Sequence, residues 1–190
     1  MSGPLGQRRF VGVTGTPGTG KKTISPLVAS ILGMKCQSVE GLAGEYGLVT
    51  GEADALEVDT EALSEVMGRK RLGPLLIYGH LVADAIPVRA TMKVVVLRCE
   101  PSELKKRLAA RGYPPQKVRE NVEAELIGVV AAEVHSKFGR RTEEFDTTGS
   151  LPGSAAQAVA RLVLSKGPST RGLDWTLNYG SAERLSSLLS

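Results

Sequence analysis

The sequence predicts an α/β fold, a three-layer α/β/α arrangement around a five-stranded, doubly wound parallel sheet. Three observations carry this expectation. Short apolar runs alternate with amphipathic stretches, as in repeated strand–crossover–strand units. The first run, Phe10-Val11-Gly12-Val13-Thr14, is almost wholly apolar, as a strand covered on both faces must be. It passes directly into Gly15-Thr16-Pro17-Gly18-Thr19-Gly20-Lys21-Lys22-Thr23 and a helix-like stretch ending at Leu32. Strand, glycine-rich turn and helix start form the setting of a phosphate-binding loop, with phosphates at the carboxyl ends of the strands.

The chemistry of that loop follows from its residue types. Gly15, Gly18 and Gly20 let the backbone curl so that successive N–H groups point inward at an anion. The helix beginning at Thr23 adds its unpaired N–H groups and partial positive charge on the same side. Lys21 supplies a full charge near the β- and γ-phosphates of a nucleotide, and Thr19, Lys22 and Thr23 complete the candidate contacts. Lys22 stands where most such loops carry the Ser or Thr that holds Mg²⁺, with Thr23 one place later. Among P-loop proteins, adenylate kinases resemble this variant, which favours a small-substrate kinase over a GTPase.

The remaining elements follow in order. The helix after the loop sets Ile24, Leu27, Val28 and Ile31 on one face, tolerates Pro26 in its first turn and closes at Gly33. Met34 to Val39 reads as a second strand. Residues 40–58 read as irregular, with Gly41, Gly44, Gly47 and Gly51 among Glu45, Glu52, Asp54 and Glu57, and suit a mobile acceptor-binding segment. Asp59 caps a helix to about Arg71, with Leu63, Val66 and Met67 inward. Leu75 to Tyr78 and Met92 to Leu97 are the third and fourth strands, with a turn over Pro87 to Thr91 before the latter. Pro101 opens a helix to about Arg111, on which Arg107 and Arg111 share a side. Gly112-Tyr113-Pro114-Pro115 breaks the chain. One long amphipathic helix is expected over 116–138, with Val118, Val122, Leu126, Val129 and Val130 as its stripe. Residues 144–147 make a fifth strand and 154–164 a last helix. Residues 167–172 read as a linker, after which Trp175, Leu185, Leu188 and Leu189 form a tail that docks on the core.

Size and composition agree. The 190 residues suffice for one domain, with 42% hydrophobic, 23% charged and only 4% aromatic residues, so the core rests on aliphatic side chains. The net charge of +4 suits phosphorylated substrates or RNA. Cys36 and Cys99 offer neither a disulfide framework nor zinc spacing and read as buried thiols. No apolar run reaches the length of a membrane span, and residues 1–9 read as a flexible leader rather than a signal peptide, so a cytoplasmic protein is expected.

Several stretches together resemble the adenylate kinase isoenzyme 6 family, the small nucleoside-monophosphate kinases of archaea and eukaryotic nuclei. They are Val13 to Lys21, His80 after the third strand, Leu97-Arg98, Arg107-Leu108, Arg111-Gly112-Tyr113 and the run Glu120 to Glu125. Asp146-Thr147-Thr148-Gly149 and Leu173-Asp174-Trp175 resemble archaeal members. The resemblance spans roughly residues 10–165 plus the tail motif. It implies a nucleoside-monophosphate-kinase fold with a short lid near 110–120 and an acceptor segment near 38–58. It further implies transfer of a phosphoryl group from ATP to AMP with Mg²⁺, ATP hydrolysis, and a part in small ribosomal subunit maturation, with a small-subunit protein as partner and rRNA within reach. Carried over by position, the loop residues and Arg111 contact the ATP phosphates, with Arg107 as a further candidate contact, and His80 is tied to catalysis.

One departure stands out. Many relatives carry an aspartate two residues before the histidine, orienting hydrated Mg²⁺, and here that residue is Tyr78. Asp84 lies beyond the strand end. The second reading is therefore an ATP-driven assembly factor with little kinase turnover. A GTPase is disfavoured, because Asp146-Thr147-Thr148-Gly149 comes too late in the chain and no Asn-Lys-x-Asp motif follows it.

Overall fold

The computed structural model describes residues 9–51, 57–70, 72–166 and 172–189. Residues 1–8 of the expected leader, Glu52 and Asp54 of the acceptor segment, Arg71, and residues 167–171 of the linker lie outside them.

Five parallel strands form the central sheet, β1 (Phe10–Thr14), β2 (Lys35–Ser38), β5 (Leu75–Tyr78), β6 (Thr91–Arg98) and β7 (Thr142–Asp146). Their order is β2-β5-β1-β6-β7, so β1 lies at the centre and ends at the glycine loop. Side chains alternate between the two faces, as pleated backbone requires. Phe10, Ile77, Val94 and Val96 point to one core with α2 (Val39–Glu45), α3 (Thr60–Arg69), α4 (Val82–Ala85) and α7 (Val129–Phe138). Val11, Val13, Leu76, Val95 and Leu97 point to the other, with α1 (Lys21–Leu32) and α8 (Pro152–Leu164). A third cluster joins Leu104 and Leu108 of α5 (Pro101–Ala110) to Val118, Val122 and Leu126 of α6 (Pro115–Leu126). The tail completes it: Trp175, in a short 3₁₀ turn, and Leu188 of α9 (Ala182–Leu189) are buried there, so the tail docks on its own chain.

Several details differ from the sequence reading. Residues 39–45 form α2 where irregular chain was expected. Ser38 caps it by accepting from the Gly41 N–H at 3.0 Å, and two helix-weakening glycines mask the signal. A two-residue ribbon, β3 (Val49–Thr50) with β4 (Glu57–Val58), follows it. On α1 the buried stripe is Ile24, Ser25, Val28 and Ala29, leaving Leu27 and Ile31 exposed. The small Ser25 and Ala29 let α1 approach its neighbours closely, which turns the larger pair outward. Arg9 is anchored, donating to the carbonyls of Met67 and Lys70 at 3.1 and 2.8 Å, with its guanidinium 4.8 Å from the Phe10 ring. Cys99 is buried but Cys36 is only half-buried.

The expected helix over 116–138 is two helices. Gly128, at φ 71°, breaks the ladder between α6 and α7, and Val129 is left exposed. The break redirects the chain: α6 packs on α5, while α7 packs on the sheet. Because that φ disfavours any side chain, Gly128→Ala is expected to cost about 1–2 kcal/mol. Urea unfolding checks this, and an unchanged midpoint would mean the break is not enforced there.

Candidate phosphate-binding site

The site is built at the carboxyl end of β1. Gly15, Gly18 and Gly20 have φ of 141°, 92° and 99°, conformations that side chains rarely adopt. At Gly15 the demand is also steric, since a Cβ would stand 2.2 Å from the Leu97 carbonyl oxygen. Thr16 organises the turn. Its carbonyl accepts from the Thr19 hydroxyl at 2.9 Å and from Lys21 Nζ at 3.0 Å. Lys21 Nζ also donates to the Gly15 carbonyl at 2.6 Å, so its ammonium is held over the mouth of the loop. Gly20 is the N-cap of α1 and offers no side-chain cap, which leaves the Lys21 and Lys22 N–H groups to an incoming anion, while the Thr23 N–H donates to the Gly20 carbonyl at 3.0 Å.

A cleft of about 390 Å³ opens in front of this loop. Pro17, Gly18, Gly20, Lys21, Lys22 and Thr23 form one wall. Tyr78, Gly79 and His80, with Glu40 from α2, form a second, and Arg111 and Tyr113 from the turn between α5 and α6 the third. A larger hollow of about 700 Å³ lies near the starts of β2 and β5, beside Lys35, Cys36 and Pro74. It contains no phosphate-cradling backbone, so backbone geometry rather than size locates the chemistry.

Electrostatics give the smaller cleft a cationic lining suited to an anion. Burial is the dominant influence on Lys21 and pushes its pKa down to about 8. The attraction of Glu125 and Glu40 only partly offsets this, while Arg111 and Lys22 push the same way as burial. A lysine desolvated in advance beside two further cations gains most from a multiply charged anion.

The residues singled out in the sequence separate into two groups. Gly18, Gly20, Lys21, Lys22, Thr23, His80 and Arg111 all line the cleft, and Gly15 and Thr19 shape the loop beneath it. Arg107 does not line it. That side chain is bound to Glu103 at 3.1 Å and to the Thr147 carbonyl at 3.1 Å, tying α5 to the loop after β7. An arginine one helical turn before another faces the same side only if nothing nearer claims it, and Thr147 claims it. Asp84 is likewise elsewhere, 3.1 Å from Lys137.

Sequence reasoning missed Glu40, Thr16 and Glu125. Glu40 is the acidic side chain on the cleft wall, its Oε1 3.5 Å from His80 Nδ1 and close to where a Cβ on Gly79 would stand. Its proximity also helps burial raise the Tyr78 pKa. The signal was present: Ser38 two places earlier is an N-cap, which would have set Glu40 at the strand-to-helix turn beside the loop. Glu125, by contrast, lies 109 residues from Thr16, whose hydroxyl donates to it at 2.6 Å, and no local pattern announces such a contact.

Comparison with known proteins agrees with this geometry. The family described as an AAA domain matches residues 11–128. A protein of Thermococcus onnurineus named "Putative adenylate kinase" is 35% identical over 172 residues, covering 90% of this chain and 93% of the relative. A Thermococcus gammatolerans protein of the same name is 37% identical over 173 residues, covering 90% and 94%. Among solved structures, shikimate kinase from Acinetobacter baumannii superposes with a TM-score of 0.55 at 18% identity, over 82% of this chain and 93% of that one. A gluconokinase from Sinorhizobium meliloti gives 0.54 at 16%, over 83% and 93%. At such identities these two speak for the fold alone. With the loop, the cationic cleft and this degree of identity over nine-tenths of its length, the chain belongs to the AAA-domain family and, within it, to the P-loop kinase family of these archaeal relatives.

Proposed function

We propose that this kinase transfers the γ-phosphoryl group of ATP to AMP, giving two ADP. One observation carries the reading: three cations from two separate elements, Lys21, Lys22 and Arg111, converge on one cleft in front of a phosphate-cradling loop. A transferring phosphoryl group spreads negative charge over its equatorial oxygens, so positioning and cationic stabilisation are most of the catalysis. In the proposed reaction an oxygen of the AMP phosphate attacks the γ-phosphorus, and the bond to the β–γ bridging oxygen breaks, leaving ADP. The loop N–H groups and Lys21 hold the β- and γ-phosphates, and Arg111 reaches the same oxygens from the lid turn. Arg107 acts indirectly, keeping α5 seated so that Arg111 is presented.

The acceptor belongs on the opposite wall, beside α2, Tyr78 and His80, and the segment 38–58 is proposed to bind it. A histidine at this strand end can orient a water or an acceptor oxygen, with the Glu40 carboxylate 3.5 Å from its Nδ1. The donor set also fits a divalent cation carried in by the nucleotide. Among the described residues no group of three or more His, Cys, Asp or Glu could hold a metal by itself, but Glu40 and Thr23 offer oxygens beside the phosphates. Mg²⁺ there supplies charge neutralisation of the triphosphate. With Tyr78 in the usual aspartate's place, Glu40 is the acidic side chain lining the cleft that would be available to orient such a cation.

The second reading has Tyr78 as its observation. With no acid on β5, water rather than AMP becomes the main acceptor, and ATP hydrolysis drives work on a protein or rRNA partner in small ribosomal subunit maturation, as the sequence resemblance implies. Turnover with ATP and Mg²⁺, with and without each nucleoside monophosphate, separates the two. The kinase reading expects two ADP per ATP consumed and only with AMP. Phosphate release indifferent to AMP overturns it in favour of the hydrolase.

Two further outcomes follow. Arg111→Ala should lower kcat by on the order of 10³ with the fold intact by circular dichroism. A loss below tenfold would remove Arg111 from the chemistry. Lys21 must be charged to hold phosphate, and with a pKa of about 8 its charge is lost as pH rises. The kcat/KM for ATP should therefore fall as pH passes about 8. Binding near that pH should take up roughly half a proton, as the phosphates restore the cation. Calorimetry in buffers of different ionisation enthalpy measures that uptake.

A further inference from the structure

Behind the cleft lies a buried polar group that the proposed chemistry does not use. The Glu125 carboxylate is 1% exposed. Its Oε2 accepts from the Thr16 hydroxyl at 2.6 Å. Its Oε1 accepts from Arg98 Nε at 2.7 Å, from the Cys99 N–H at 3.0 Å and from the Trp175 indole N–H at 3.2 Å. Arg98, 2% exposed, reaches on to Glu144 at 2.6 Å and to the Leu173 carbonyl at 3.1 Å. The Leu173 N–H in turn donates to Glu144 at 3.2 Å. The tail therefore contributes two donors and one acceptor to a group of buried ions, besides an apolar cover.

We infer that the C-terminal segment is a positioning element for the phosphate-binding loop, with Trp175 acting through Glu125 on Thr16. The inference rests on nucleotide binding at this loop. Thr16 is the residue around which the loop curls, and its carbonyl holds both Thr19 and Lys21. Fixing the Thr16 side chain thus fixes the carbonyl against which the phosphate lysine is aligned. A carboxylate in a dry site keeps its orientation only while its donors are in place, because it has no water to turn to. Trp175 is one of those donors, and its ring lies 6.0 Å from the Arg98 guanidinium. The rest of the tail is anchored at the base of the same lid. Lys105 on α5 donates to the Leu188 carbonyl at 2.9 Å, and the Tyr179 hydroxyl donates to Glu100 at the start of α5. Trp175 and Thr16 are positioning residues here, since neither reaches the reacting phosphorus.

The test uses the full chain with ADP as the probe, its affinity measured by calorimetry in wild type, Trp175→Phe, Thr16→Val and the double variant. Trp175→Phe keeps an aromatic ring and removes only the N–H. It should weaken ADP binding by roughly two- to thirtyfold, the range for changes in a coupled network. In the Thr16→Val background the same change should have no further effect. The wild-type emission of Trp175, the single tryptophan of the chain, should shift with ADP and cease to do so in Thr16→Val. The emission measurement needs no change at position 175, so it holds if Trp175→Phe folds poorly. A tail that merely covers α5 and α6 would lower Tm and leave the ADP affinity and emission unmoved, overturning the inference. Penalties that multiply in the double variant overturn it too. A wild type that binds no ADP overturns it together with the kinase reading, and is told apart by the absence of binding heat.

Discussion

The structure depends on ionised groups placed where water cannot reach them. Arg98, Glu125 and Glu144 are each at most 7% exposed, and between them they connect β6, α6, β7, the tail and the glycine loop. Such ions are stable only as a set. Removing one partner of a buried pair costs about 3–5 kcal/mol, since the survivor is left charged and dry. That sensitivity gives the group its organising power, because the elements bearing its members must dock in one arrangement. Hydrophobic burial drives collapse but is indifferent to small displacements. The directional bonds of Arg98 to Glu125 and Glu144 are not. The kinked path from α6 to α7 follows, since Gly128 lies against the Arg98 guanidinium, where its left-handed turn lets the Glu125 carbonyl accept from Arg98 Nη2 at 2.9 Å.

This frame explains how the turn between α5 and α6 comes to hold Arg111 against the cleft. The α5 and α6 helices pack on one another through Leu104, Leu108, Val118 and Val122, and the turn between them carries Arg111 and Tyr113 over the cleft. α6 is held at its end by Glu125 on Arg98, and α5 at its start by the Glu100 N–H donating to the Thr148 hydroxyl at 2.8 Å and in its last turn by Arg107 on the Thr147 carbonyl. In the proposed kinase, a turn anchored on both sides would let Arg111 reorient without sweeping far, which suits a cleft already walled on three sides.

What could be read from the sequence divides along chain separation. The loop was legible because its chemistry is written in nine consecutive residues whose glycines have one compelling reason to be there. The central strands β1, β5 and β6 were legible because burial on both faces leaves runs such as Met92 to Leu97 nearly free of polar residues, whereas the polar outer strands Lys35–Ser38 and Thr142–Asp146 gave weaker signals. The phase of α1 was not, since Leu27 and Ile31 obey the helical period but yield the inner face to Ser25 and Ala29. The break at Gly128 was hidden because a lone glycine in an amphipathic run is tolerated as often as it interrupts. Glu125 is legible only as part of the run Glu120 to Glu125, because nothing local distinguishes it from the acidic residues beside it. Its meaning comes from Thr16, Arg98 and Trp175, which are 109, 27 and 50 residues away.

The cleft itself is arranged so that its main cost is met by folding rather than by the ligand. Burying Lys21 is unfavourable, as its lowered pKa records, and Glu125 and Glu40 recover only part of that loss. In water a lysine would approach a phosphate fully hydrated and lose much of the attraction to desolvation. Here the ammonium is already stripped and aligned on the Gly15 and Thr16 carbonyls, neutral dipoles that yield to a charged oxygen at little cost. For the proposed phosphate site, strength would reside less in the number of its cations than in how firmly the Thr16 carbonyl aims one of them. That firmness is inherited from Thr16, and through Thr16 from the ions beneath.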